Sequence, residues 1–92
     1  MLFMVIEHFK DRDALEIYRR FKAEGRKLPE GLCFVDSWVE ANCARCFQLM
    51  ECDDVRLLQV WSQQWRDVTD FDFIPVVSGK DTAAALAPLI EG

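Results

Sequence analysis

Leu32-Cys-Phe-Val-Asp-Ser-Trp-Val-Glu-Ala-Asn-Cys-Ala-Arg-Cys-Phe-Gln-Leu-Met-Glu-Cys52 carries two strand-like runs on either side of a turn near Asn42. Successive side chains of a strand point to opposite faces. Cys33, Val35, Ser37 and Val39 therefore share one face of the first run, and Phe34, Asp36, Trp38 and Glu40 share the other. On the return run Arg45, Phe47, Leu49 and Glu51 alternate with Cys46, Gln48, Met50 and Cys52. Turn length sets the register, and a slip of one residue moves every side chain to the opposite face. A three-residue turn, Asn42-Cys43-Ala44, sets Val39 and Ser37 opposite Phe47 and Leu49, and Trp38 and Asp36 opposite Gln48 and Met50. This register is preferred because it separates an apolar face from an amphipathic one. A two-residue turn instead places Glu40 opposite Arg45, a favourable charge pair.

Upstream of this hairpin, Leu2 to Phe9 is apolar at nearly every position, as expected of a central strand covered on both faces. Asp11 or Asp13 is a candidate N-cap for a first helix ending near Glu24, with Ala14, Leu15, Tyr18 and Phe21 at helical spacing and Gly25 as C-cap. Arg19, Arg20 and Lys22 fall mostly off that stripe and read as a solvated face. Downstream, Asp53 or Asp54 caps a second helix whose stripe is Leu57, Leu58, Trp61 and Trp65, with Val68 beyond it. A tryptophan pair four residues apart suggests a stacking platform, but beside leucines it reads as core. Thr69 to Val77 predicts a fourth strand, which Pro75 confines to a sheet edge because it cannot donate to a ladder. Ser78-Gly-Lys-Asp81 has the capping-box pattern and opens a short helix closed by Pro88.

A chain of 92 residues makes one domain that buries roughly 60–65% of its unfolded surface. Residues 78–92 read as a C-terminal helical extension of it. With 51% hydrophobic and 29% charged residues, the composition is that of a globular protein. A net charge of −5 argues against nucleic-acid and anionic-membrane partners, which need a basic surface. The apolar start, Met1 to Ile6, lacks the basic flank and length of a signal or spanning segment, so a cytoplasmic location is expected. Reduced thiols are then the default for Cys33, Cys43, Cys46 and Cys52. Cys43-Ala-Arg-Cys46 has knuckle spacing, but His8 is the sole histidine and the two cysteine pairs lie at opposite ends of the hairpin, roughly 20 Å apart. No metal or cofactor is expected.

The order strand, helix, strand, strand, helix, strand is that of an α+β, ferredoxin-like βαββαβ domain: a four-stranded antiparallel sheet with two helices on one face. In the preferred register the open face carries Phe34, Trp38 and Met50 beside Asp36, Glu40 and Gln48, more apolar area than a soluble monomer leaves bare. A second copy is the economical cover. Met1-Leu-Phe-Met-Val-Ile-Glu7, Tyr18-Arg-Arg-Phe21, Leu28-Pro-Glu-Gly-Leu32, Val35-Asp-Ser-Trp-Val-Glu-Ala-Asn42 and Arg45-Cys-Phe-Gln-Leu-Met-Glu51 resemble domain-of-unknown-function family 3303, over residues 1 to about 78. That resemblance implies a dimeric α+β barrel. Its wider superfamily includes cofactor-independent quinol monooxygenases, haem-degrading enzymes, lactone isomerases and ligand-sensing domains. No catalytic motif of theirs maps onto this chain.

Such a barrel, lined by polar and apolar groups, suits a small organic molecule. The expected wall is Asp36, Trp38, Gln48 and Met50. The candidate acids or bases are Asp36 and Glu7, because clustered buried carboxyls raise one another's pKa. Glu7 joins Phe3 and Val5 on the barrel side if Met4 and Ile6 face the helices. His8 then points away from Glu7 and reads as an end-of-strand residue. A ligand-binding homodimer, an interaction or sensing module with a filled barrel, and a monooxygenase-like enzyme without cofactor remain open.

Overall fold

The computed structural model describes residues 1–90. Strand β1 (Leu2–Phe9) leads through a 3-10 turn, Lys10–Arg12, into helix α1 (Ala14–Glu24). Then come β2 (Cys33–Val39), β3 (Arg45–Glu51), α2 (Arg56–Gln63), β4 (Thr69–Val76) and α3 (Gly79–Ile90). The sheet order is β2-β3-β1-β4, with every neighbouring pair antiparallel. This is the expected α+β, ferredoxin-like arrangement, with β1 inside the sheet and the Pro75 strand at its edge.

Local chemistry sets the helix ends. The Asp13 carboxylate accepts the Glu16 N–H at 3.2 Å, filling one of the free donors of the first turn of α1. At the other end Gly25 takes φ 73° and donates its N–H to the Phe21 carbonyl at 2.7 Å, a backbone region that costs glycine nothing. Asp54 accepts the Arg56 N–H at 3.0 Å, and Ser78 Oγ accepts the Asp81 N–H at 3.0 Å. Helix α3 continues past Pro88 to Ile90 instead of stopping there, and none of its residues is buried.

One face of the sheet packs on both helices. Phe3, Val5 and Phe9 of β1 and Cys46 and Met50 of β3 form a core with Ile17 of α1, Leu58 and Trp61 of α2, and Trp65 just beyond it. Phe71 meets Trp61 edge-on at 5.3 Å between ring centroids, a favoured aromatic geometry. The stripe of α1 is rotated from the expected one: Ile17 is buried, with Ala14 and Phe21 beside it, whereas Leu15 is 75% exposed.

The hairpin adopts the other register. Trp38 pairs with Phe47, Ser37 with Gln48 and Val39 with Cys46, and a bidentate Arg45–Glu40 ion pair of 2.7 and 2.9 Å closes the turn. A bulge between Phe34 and Asp36 shifts the pairing and sets Phe34 opposite Met50. Gln48 and Met50 are therefore buried on the helix side, at 4% and 0% exposure, and not on the open face. The faces of β1 are likewise exchanged. Phe3, Val5 and Glu7 point at the helices, and Met4, Ile6 and His8 share the other face. The open face still carries a broad apolar surface, now built from Met4, Ile6, Phe47, Leu49, Ile74 and Trp38.

Candidate functional site

Strand pairing assembles the floor of the site. Glu7 sits opposite Cys46 and Val5 opposite Gln48 across β1 and β3, while Ser37 of β2 pairs with Gln48. Glu7, Cys46, Gln48 and Ser37 thus form a contiguous polar patch on the face that turns toward the helices. Above it lies a half-open cleft with about 70 Å³ of free volume. Ile17, Tyr18 and Phe21 of α1 form one wall, and Trp61 and Trp65 form the other. Tyr18, Ser37 and Arg26, which remain partly exposed, mark its mouth.

The Arg26 side chain is held in this mouth by its own backbone. Gly25 and Lys27 on either side both take positive φ, 73° and 60°, which residues other than glycine seldom adopt. The indole N–H groups of both Trp61 and Trp65 donate to the Arg26 carbonyl, at 2.9 and 3.2 Å. The tryptophan pair is core, as its spacing suggested, and it also pins the loop after α1. The guanidinium carbon lies 3.6 Å from the Phe34 ring centroid and 4.8 Å from that of Phe21, within cation–π range of both. Its Nε donates to Gln48 Oε1 at 3.2 Å, and Gln48 Nε2 donates in turn to Glu7 Oε1 at 3.4 Å.

Glu7 is 8% exposed, and burial pushes its carboxyl up to about 7, against the opposing effects of a hydrogen bond from Cys46 and the charge of Arg26. The Cys46 thiol is itself pushed up to about 12, by burial first and then by Glu7. Cys46 is consequently a neutral donor to the carboxyl, not a nucleophile. Burial also raises the phenol of Tyr18. The patch is a chain of donors leading from a cation to a carboxyl that changes charge near neutrality.

The four residues expected to line one wall do not converge. Gln48 joins Glu7 in the cleft, and Met50 lies in the core on the same side. Asp36 and Trp38 lie on the opposite face, where Trp38 is 53% exposed and the Asp36 carboxylate accepts the Ser37 N–H at 2.8 Å. His8 is also there, with Nε2 at 2.8 Å from Asp72 Oδ2. Arg26, Cys46 and Ser37 were not expected at a site. The glycine before Arg26 was the sole sequence signal for it.

A family model described as "Domain of unknown function (DUF3303)" matches residues 1–90. The chain belongs to that family. No curated protein and no solved structure matches it. The match takes in α3, beyond residue 78, so the C-terminal helix is part of the DUF3303 domain. Among the described residues of this DUF3303 chain, no three histidine, cysteine or acidic side chains are grouped to hold a metal. No helix among them is long and apolar enough to cross a membrane.

Proposed function

We propose that this protein is a homodimeric small-molecule-binding protein whose ligand inserts its polar end into the cleft between the sheet and the two helices, beside Glu7. The observation that carries the reading is the Glu7 carboxyl, buried yet adjoining a half-open cleft and titrating at about 7. Burying an ionisable group is costly, and perturbed carboxyls in clefts are concentrated at functional sites. Protonated, Glu7 donates a hydrogen bond to a ligand; ionised, it accepts a proton from one, which also supports acid–base chemistry without a cofactor. A free volume of about 70 Å³, against about 30 Å³ per water, accepts only a head group the size of about two waters. The body of a larger ligand therefore extends through the mouth between Tyr18 and Ser37.

Ser37 stands at the mouth on an edge strand, so Ser37→Phe should block entry without disturbing the core. In a ligand-observed NMR screen of organic fragments, the binders found with the wild-type protein should be lost with the variant while its melting temperature holds. Fragments that bind both proteins equally would put binding elsewhere and overturn the reading.

A further inference from the structure

Resting on the cleft reading above, we infer that the ligand is a small organic monocarboxylate with an apolar or aromatic body, and that Arg26 is the residue that seats its anionic group. Arg26 takes part in none of the ion pairs among the described residues. Its Nε is spent on Gln48, and among the described residues no acceptor takes its terminal N–H groups. Yet it is not a loose surface arginine. Two indoles clamp its carbonyl, two aromatic rings flank its guanidinium, and it lines the cleft. A guanidinium fixed in this way presents a preformed fork to a planar two-oxygen anion, at little entropic cost because the side chain is already ordered.

The surroundings narrow the class further. Trp61, Trp65, Ile17 and Phe9 line the cleft with apolar surface, which suits the carbon atoms adjoining an organic carboxylate and not a bare inorganic ion. The ionisable groups facing the cleft are Glu7 from β1, Cys46 from β3, Tyr18 from α1 and Arg26 from the following loop; α2 contributes indoles and β2 contributes Ser37. Only Glu7 among these becomes anionic near neutrality. Ionised Glu7 repels any anion, a dianion about twice as strongly as a monoanion, whereas protonated Glu7 offers a monocarboxylate a second donor. Affinity for the anion should therefore fall as pH rises through about 7, as Glu7 ionises beside it.

Benzoate, benzamide and inorganic phosphate are suitable probes for calorimetric titration, with the indole N–H NMR signals followed in parallel. Benzoate should bind and shift the signals of Trp61 and Trp65, and phosphate at equal concentration should not displace it. Arg26→Gln should weaken benzoate about tenfold or more, with Arg26→Lys intermediate because it keeps charge but loses the fork. Both variants retain the carbonyl that the indoles hold, so unchanged indole signals in the unliganded variants verify the fold. Equal binding of benzoate and benzamide, displacement by phosphate, or undiminished benzoate affinity in Arg26→Gln would each overturn the carboxylate inference while leaving the cleft reading standing. If no probe shifts either indole at tens of millimolar, the carboxylate inference fails, and the fragment screen with Ser37→Phe decides the cleft reading separately.

Discussion

Glu7 couples folding to protonation. Its carboxyl titrates at about 7 in the folded chain against an ordinary 4.5. Below the lower value it is protonated in both states, and the stabilisation from burying a neutral group is fully present. Between the two values the unfolded chain releases the proton and the folded chain keeps it, so stability declines as pH rises and levels off above about 7. The full difference amounts to at most about 3 kcal/mol. Glu7→Gln, nearly isosteric, should abolish this component. Urea denaturation at about pH 5 and about pH 8 should show the variant gaining on the wild type at the higher pH, and parallel curves for the two proteins would contradict the assignment. Glu7 was a candidate through an expected cluster with Asp36 on the barrel side, and it is instead buried on the helix side, away from Asp36. Its partners, Cys46 across the sheet and Arg26 through Gln48, are set by long-range pairing that no local pattern encodes.

Among the elements, the caps of α1 and the edge strand were legible, since α1 begins after Asp13, is capped by Gly25, and the Pro75 strand lies at the edge, but the buried stripe of α1 falls on Ile17 and not on Leu15 and Tyr18. The hairpin register was not legible. Segregating apolar from polar side chains assumes that polar positions seek water, whereas Gln48 and Glu7 are buried and satisfied by each other and by Arg26 and Cys46. The Glu40–Arg45 pair at the turn and the bulge after Phe34 belong to the register that this assumption disfavoured. The loop between α1 and β2 supplies a test at this scale. Gly25 has φ 73° with open space where a Cβ would point, and Gly31 has φ 93° with Leu57 Cδ1 only 3.1 Å from that position. Gly25→Ala should therefore cost backbone strain alone, about 1–3 kcal/mol, because its ψ of −168° puts it in a region essentially restricted to glycine, and Gly31→Ala strain plus a displaced leucine, hence more. Chemical denaturation giving the reverse order would show that the Gly31 turn relaxes easily.

For the molecule as a whole, the unanswered demand is the open sheet face. Met4, Ile6, Phe47 and Leu49 are only half-buried there, and Trp38 and Ile74 are exposed, an area of the kind that marks an interaction surface. The argument for a second copy does not depend on the register, because both registers leave apolar residues on the uncovered side. Sedimentation of the wild type at micromolar concentration should give a dimer, and Trp38→Glu should shift it to monomer while leaving the cleft on the far side intact. A wild-type monomer would remove the argument. The three tryptophans divide between the two candidate sites: Trp38 on the open face, Trp61 and Trp65 at the cleft. Their indole N–H signals therefore report directly on where a ligand sits. In a titration with any small organic molecule that binds, the signals of Trp61 and Trp65 should move with saturation while that of Trp38 stays in place. Movement of Trp38 alone would put the ligand between sheets and contradict a site beneath the helices.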